Sequence, residues 1–355
     1  MSSTNREFAV AAENLRPIDQ RAMQAARERH DRLTKPPGSL GALEDLGARL
    51  AGISGTCPPP VPESPVVAVF AADHGVVASG VTPWPQEVTA QMVGNFVAGG
   101  AAINAIARQV GAAVRVVDVG VAADLTALDG IDHRNVRRGT ADLALGPAMT
   151  TTDASAALDV GAQIAAELVD GGHDLLATGD MGIGNTTSSA ALIAVFAGCT
   201  AEAVTGRGTG IDDEMLAHKT SVVADAVARA MKLDDPIAML AEVGGLEIAA
   251  LAGYVVAGAA AGVPVVVDGV IALAALVVAD ALAPGVRDRC VAGHRSTEPG
   301  ATVALEHLGL DPLIDLRMRL GEGTGACLAI PIVQAAARVL NEMATFEEAA
   351  VSDRE

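Results

Sequence analysis

One carboxylate set among glycines is the strongest chemical signal in the chain. Arg319-Leu320-Gly321-Glu322-Gly323-Thr324-Gly325-Ala326 places Glu322 at the mouth of a long apolar helical pattern. Glycines at 321, 323 and 325 open backbone conformations closed to other residues and let a ligand approach the main chain. Leu320 lies beside Glu322 and few charges follow, so a poorly solvated Glu322 would have a raised pKa, as a general base needs. The same residues also fit an exposed glutamate near a helix N-terminus, where the dipole favours negative charge.

Three more glycine-rich segments lie between an apolar run and a helical pattern. They are Gly179-Asp180-Met181-Gly182-Ile183-Gly184-Asn185-Thr186-Thr187, Gly206-Arg207-Gly208-Thr209-Gly210 and Gly293-His294-Arg295-Ser296-Thr297-Glu298-Pro299-Gly300. Such loops offer backbone N–H groups to an anion, usually a phosphate. None has Walker A spacing, and none is a clean dinucleotide fingerprint followed by an acidic residue on a second strand. A nucleotide-like ligand fits; the usual ATP and NAD folds do not.

Read in order, these segments resemble the nicotinate-nucleotide–dimethylbenzimidazole phosphoribosyltransferase family, which activates the lower base of cobalamin. The others that carry the resemblance are Lys35-Pro36-Pro37-Gly38-Ser39-Leu40-Gly41, Ala72-Asp73-His74-Gly75-Val76, Pro85-Gln86-Glu87-Val88-Thr89 and Glu242-Val243-Gly244-Gly245. The match runs over nearly the whole chain. It implies transfer of phosphoribose from nicotinate mononucleotide to a benzimidazole nitrogen, with Glu322 as the base that takes the proton from the partner nitrogen. No metal or other cofactor is demanded, because the leaving group is a pyridinium and no pyrophosphate departs.

The resemblance also implies a nucleotide site made of Asp180, Gly182, Gly184, Asn185, Thr186, Arg207, Gly208, Lys219, Asp268, Gly269, Gly293, Arg295 and Ser296. Asn185 or Thr186 could equally be a helix N-cap. Lys219 could be an ordinary helix lysine and His294 a structural histidine. The family leads one to expect Glu where Asp180 stands, so its contact is open. For the acceptor base the loop from Thr82 to Met92 is indicated, with Trp84, Gln86 and Leu320, and with Asp73 and His74 shaping the same pocket. Trp84 could stack on a flat heterocycle or simply pack its loop. Trp84 and Met92 replace polar contacts of some relatives, which leaves the preferred base open. The alternatives are a same-fold enzyme acting on a purine or a phenol, and a non-catalytic nucleotide-binding subunit. The family suggests a homodimer.

Composition narrows the partners. The 355 residues carry 43 acidic and 24 basic side chains, a formal net charge of −19, which argues against nucleic acid. Half the residues are hydrophobic but only 2% are aromatic, so the core must be built from Ala, Val, Leu and Ile. Cys57, Cys199, Cys290 and Cys327 are too widely spaced for a zinc or disulfide framework, and Cys327 reads as a small buried hydrophobe. Residues Met1–Glu7 lack an apolar signal region, so a cytoplasmic protein is the default expectation. Ile248–Val267 is uncharged and long enough to span a bilayer. Gly262-Val263-Pro264 interrupts it and its flanks are acidic, which favours a helix, a turn and a buried strand.

The elements that must hold these residues follow from β-branched runs ending in acid–glycine punctuation: Val66–Phe70 before Asp73, Val114–Val117 before Asp118, Asp174–Ala177 before Asp180, and Val265–Val267 before Asp268. Ala-rich stretches of helical length separate them. The pattern predicts an α/β, Rossmann-like domain: a parallel sheet covered by helices on both faces, with ligands beyond the carboxyl ends of the strands. Pro17–His30, Leu43–Ile53 and Ala326–Met343 read as further helices. The resemblance implies that helices from the two chain ends form a small domain, residues 1–60 and 328–355, beside a large catalytic domain of 61–327.

Overall fold

The computed structural model describes residues 6–352, so most of the N-terminal segment just discussed lies outside the described residues. Its strands are β1 (Pro65–Ala72), β2 (Ala113–Gly120), β3 (Asp132–His133), β4 (Leu175–Met181), β5 (Val265–Val267) and β6 (Cys290–Ala292). They form one parallel sheet in the order β3-β2-β1-β4-β5-β6. The four expected strands are all present. The two additions, β3 (Asp132-His133) and β6 (Cys290-Val291-Ala292), are edge strands with none and one β-branched residue, so neither leaves a β-branched run in the sequence. The order reverses between β1 and β4, and it is outside the carboxyl ends at such a switch point that open α/β sheets bind ligands.

The helices are α1 (Glu7–Asn14), α2 (Gln20–Arg32), α3 (Ala42–Ser54), α4 (Glu87–Val97), α5 (Ala102–Val110), α6 (Thr151–Asp170) and α7 (Asn185–Ala197), followed by α8 (Ala201–Val204), α9 (Asp213–Ala230), α10 (Pro236–Val243), α11 (Leu246–Ala260), α12 (Val270–Leu282), α13 (Pro299–Leu308) and α14 (Thr324–Glu342). All eight residues of β1 are buried, as a strand covered on both faces requires. Val66, Ala68, Phe70 and Ala72 face the core shared with α6, α7, α11 and α12. Val67, Val69 and Ala71 face the core shared with α3, α4, α5 and α14. The uncharged segment 248–267 is most of α11, a turn and β5, and its strand is wholly buried. The apolar length of α14 has the same explanation, since ten of its residues are buried against the sheet and its neighbours.

Several helix starts lack a side-chain cap of their own, and three of these lie at the site. Asp19, Thr150, Asp212 and Asp235 cap α2, α6, α9 and α10 with their own side chains. By contrast α7, α12 and α14 start at Gly184, Gly269 and Gly323, which supply no side-chain cap. Helix ends left this way need another partner for their N–H groups.

The far half of α14 packs with α2 and α3 around Ala22, Ala26, Ala48, Ala51 and Leu340. We propose that this cluster is the small helical unit expected from the two chain ends. α14 is one continuous helix across residue 328, and α1 lies on α6 and α11 instead, with the Phe8 N–H donating to Asp159 Oδ1 at 3.0 Å.

Helices α6 and α11 cross on two glycines. A Cβ on Gly253 would lie 2.8 Å from the Leu158 carbonyl carbon, and one on Gly161 would lie 2.8 Å from the Tyr254 nitrogen. Gly253→Ala is therefore expected to destabilise the protein by about 1–3 kcal/mol, the usual range for overpacking. Urea denaturation measures this, and an unchanged midpoint would contradict the crossing.

Candidate active site

The segment before α14 is held in an unusual backbone. Gly321, Glu322 and Gly323 have φ of +81°, +64° and +89°. A left-handed conformation at a non-glycine residue costs on the order of 1–3 kcal/mol, so Glu322 is held there by its surroundings. Two of them are visible. A Cβ on Gly323 would meet Val67 Cγ1 at 2.6 Å and the Thr178 carbonyl at 2.8 Å, and one on Gly179 would meet the Glu322 carbonyl at 2.7 Å. Glycine on both sides lets the loop press onto β4. Asp268, at the end of β5, then accepts the N–H groups of Gly323 at 3.3 Å and Ala326 at 2.8 Å, capping α14 from another element.

The Glu322 side chain, 6% exposed, accepts the Ile103 N–H at 3.2 Å from the first turn of α5. Burial pushes its carboxyl above the ordinary range and the Asp268 charge adds to this, while the Ile103 N–H pulls the other way.

Around Glu322 opens a cavity of about 300 Å³. One wall is apolar: Trp84, Val88 and Met92 from α4 and the loop before it, with Met181, Ile183 and Leu320. Gly269, Val270, Ile271, His294 and Ser296 also line the cavity, which brings the uncapped start of α12 to it. A smaller cavity adjoins it through Gly182, Ile183, Asn185, Thr186, Gly208 and Thr209, and is closed by Thr82, Gly184, Arg207 and Lys219.

Lys219 is the buried cation of this second compartment. Its Nζ donates to Thr186 Oγ1 at 2.8 Å and to the Gly206 carbonyl at 3.2 Å. Burial lowers its pKa to about 8, opposed by the Glu298 carboxylate. Together with the uncapped start of α7 it gives this compartment the donors an anion needs. The main compartment is the reverse. Asp180, Glu298 and Glu322 line it, with Asp268 and Glu247 buried behind. Burial, then the charges of Asp268, Glu247 and Glu322, push the Asp180 carboxyl well up, although Asn185 Nδ2 donates to it at 3.1 Å. Carboxylates crowded in this way are stabilised by a cationic ligand.

Of the residues expected at the site, Asp180, Gly182, Asn185, Thr186, Gly208, Gly269, Ser296, Trp84, Met92, Leu320 and Glu322 line the main cavity, and Thr82, Gly184, Arg207 and Lys219 line the second. Arg207 is also engaged by Asp213 and by the Ile211 carbonyl. Six residues stand outside both walls. Asp268 is spent on capping α14. Gly293 packs on that helix, where a Cβ would meet Ala326 Cα at 2.7 Å. Arg295 turns toward Thr302 and Asp315. Asp73 accepts the Ala122 N–H at 2.8 Å, and His74 is wholly buried between Ser188 and Glu247, so neither shapes the base pocket directly. Gln86 precedes α4 and is not part of the cavity lining.

The sequence reading left several contributors without a role. Glu298 accepts the Gly208 N–H at 2.9 Å and Arg319 donates to the Gly208 carbonyl at 2.7 Å, so both shape the Gly206–Gly210 loop. They stand inside segments already singled out, where a charge beside glycines was the available signal. Ile103 acts through its main chain, which leaves no mark in residue type.

A phosphoribosyltransferase family model matches residues 15–351. The chain is 56% identical to nicotinate-nucleotide–dimethylbenzimidazole phosphoribosyltransferase of Salinispora tropica, covering 95% of this chain and 97% of that one. The enzyme of the same name from Mycobacterium avium is 52% identical over 98% of each chain. The crystal structure of CobT from Thermus thermophilus superposes with a TM-score of 0.91 at 51% identity, covering 94% of this chain and all of that one. Sequence and fold agree, and the chain belongs to the nicotinate-nucleotide–dimethylbenzimidazole phosphoribosyltransferase family.

Proposed function

We propose that the protein transfers the phosphoribosyl group of nicotinate mononucleotide to 5,6-dimethylbenzimidazole, giving α-ribazole 5′-phosphate and nicotinate. The observation that carries this reading is Glu322, a desolvated carboxylate held in a left-handed backbone between an anion site and an apolar wall. In the reaction the C1′–N bond of the pyridinium breaks and its electron pair stays on the nicotinate ring, which leaves neutral at that nitrogen. One benzimidazole nitrogen attacks C1′ from the opposite face, inverting β to α. The proton on the other nitrogen passes to Glu322.

Each compartment suits one part of the substrates. The 5′-phosphate fits the start of α7 and Lys219. The ribose then lies beside Asp180 and Glu298, whose charges favour the pyridinium and the oxocarbenium character that develops as it leaves. The nicotinate carboxylate fits the uncapped start of α12 with Ser296. The flat base fits between Trp84, Met92, Met181 and Leu320 with one N–H toward Glu322. That apolar wall supports a benzimidazole over a purine, whose extra ring nitrogens would lose their hydrogen bonds. The strain at Glu322 argues against a non-catalytic subunit. A homodimer and a cytoplasmic location belong to the same proposal; Trp84 and Leu320, exposed apolar residues that line the cavity, offer a surface for a partner subunit. Incubation with nicotinate mononucleotide and a panel of bases tests the reading: the expected product is the α-riboside phosphate by mass and NMR, and a β-riboside or no product would sink it.

Glu322→Gln is expected to keep nucleotide binding and lose turnover by about 10²-fold or more, the lower end of what a positioned base supplies. In the wild type the ionised form of Glu322 is the active one and its carboxyl is raised. Turnover should therefore fall, as pH drops, above the ordinary glutamate value of about 4.3. A Gln variant with wild-type turnover would remove Glu322 from the role of base.

Lys219 gives a second pH dependence of opposite sense. It is protonated below about 8, and a bound phosphate raises that value further. Affinity for nicotinate mononucleotide should fall as pH rises above about 8. Calorimetric titration between neutral and alkaline pH checks this, and a flat affinity would take Lys219 out of the anion site.

Trp84→Ala should raise KM for the base several-fold and leave KM for the nucleotide nearly unchanged, since stacking is worth about 0.5–1.5 kcal/mol. Equal effects on both constants would remove Trp84 from the base subsite.

A further inference from the structure

Beneath the Gly182–Asn185 loop lies a chain of buried groups that the reaction above does not use. His74 Nε2 is 2.6 Å from Glu247 Oε1, and His74 Nδ1 is 3.1 Å from Ser188 Oγ. His74, Glu247 and Ser188 are each 0% exposed. The residue types are those of a hydrolytic triad, but Ser188 sits inside α7 with no access for a substrate, so it is no nucleophile. The carboxylate orients the ring: Glu247 holds the Nε2 side and the Ser188 hydroxyl pairs with Nδ1.

The anion-binding turn rests on this chain. A Cβ on Gly182 would lie 3.2 Å from Glu247 Oε1 and 3.3 Å from His74 Cδ2, and one on Gly184 would lie 3.3 Å from His74 Cβ. Gly245, which begins α11, would place a Cβ 2.7 Å from Glu247 Oε2. Ser188 belongs to the first two turns of α7, so the imidazole ties that helix to the ends of β1 and α11. The Glu247 Oε2 atom is buried with no hydrogen-bond partner among the described residues. A carboxylate kept in this state is costly, and a purely space-filling residue would not need it.

We propose that His74 and Glu247 are positioning residues for phosphoribosyl transfer: through Ser188 and the glycines at 182 and 184 they set the anion-binding turn of α7, and Glu247 places a buried negative charge behind Asp180. The inference rests on the transfer reaction proposed above. Asp180 is faced by Asp268 from the end of β5, Glu247 from α11, Glu322 from the loop before α14 and the Asn185 amide from α7. Asp268, Glu247 and Glu322 each push its carboxyl up, so neutralising Glu247 removes one upward push and lets Asp180 stay ionised to lower pH.

Two full-length variants test this, with steady-state kinetics in which nucleotide and base are varied independently. Glu247→Gln should raise KM for nicotinate mononucleotide about tenfold, as expected for losing a charged hydrogen-bond partner, and leave KM for the base unchanged. Its acid limb in kcat/KM for the nucleotide should move to lower pH, which a merely structural role would not produce. Ser188→Ala should raise the nucleotide KM about fivefold, the effect of one neutral hydrogen bond, with no movement of that limb. Wild-type nucleotide KM in both variants, parallel rises for both substrates, or an unmoved limb in Glu247→Gln would each overturn the proposal. If Glu247→Gln fails to fold, the Ser188→Ala split decides alone. Calorimetric binding of inorganic phosphate separates the two readings: a wild type inactive on nicotinate mononucleotide refutes the reaction, whereas the positioning role still requires weaker phosphate binding in both variants.

Discussion

Asp268 accepting the N–H groups of Gly323 and Ala326 is the bond on which the site depends. It joins the end of a central strand to the start of the longest apolar helix near the chain end, two elements more than fifty residues apart. The carboxylate is fully buried and lies at the positive end of α14, where the helix dipole and two donors offset its desolvation. With α14 fixed in this way, the chain must turn sharply just before it. Three successive left-handed residues make that turn, and two glycines among them leave the strained position to Glu322. Substituting Asp268 would thus act on Glu322 without touching the reacting atoms.

The electrostatics of the cleft divide it. At one end an uncapped helix start and a buried lysine favour a dianion. A few residues away, Asp180, Glu298 and Glu322 favour positive charge. A pyridinium nucleotide carries its charges in this arrangement, with phosphate at one end and a cationic ring at the other. The net charge of −19 therefore does not conflict with a phosphorylated substrate, because the donors are local.

Much of this was legible in the sequence. β1, β2, β4 and β5 announce themselves as short, mainly apolar runs, most plainly β1 and β5, which are buried throughout and have no polar alternation to obscure them. β3 is polar and β6 holds a single β-branched residue, so neither carries the pattern. Glu322 stood out because a lone carboxylate among glycines has few structural uses. Asp268 and Asp73 carry the same acid-at-strand-end signature as Asp180, yet they bond backbone N–H groups inside the protein while Asp180 faces the cavity. Residue type and position along the chain do not distinguish a carboxylate that caps a helix from one that meets a ligand. Ile103 and the start of α12 contribute through main-chain N–H groups, which any residue but proline supplies. Glu247 was hidden for another reason: it sits at the edge of a long apolar helix and reads as an ordinary acidic flank.

Removal of the acceptor base's proton by Glu322 is the central claim, and a crystal structure of the protein with dimethylbenzimidazole and nicotinate bound tests it most directly. The ring is expected between Trp84, Met92 and Leu320, with one nitrogen within about 3 Å of the Glu322 carboxylate, the reach a general base requires. The other nitrogen should face the space between Asp180 and the start of α7, where C1′ would lie. A base bound with both nitrogens away from Glu322 would contradict that role.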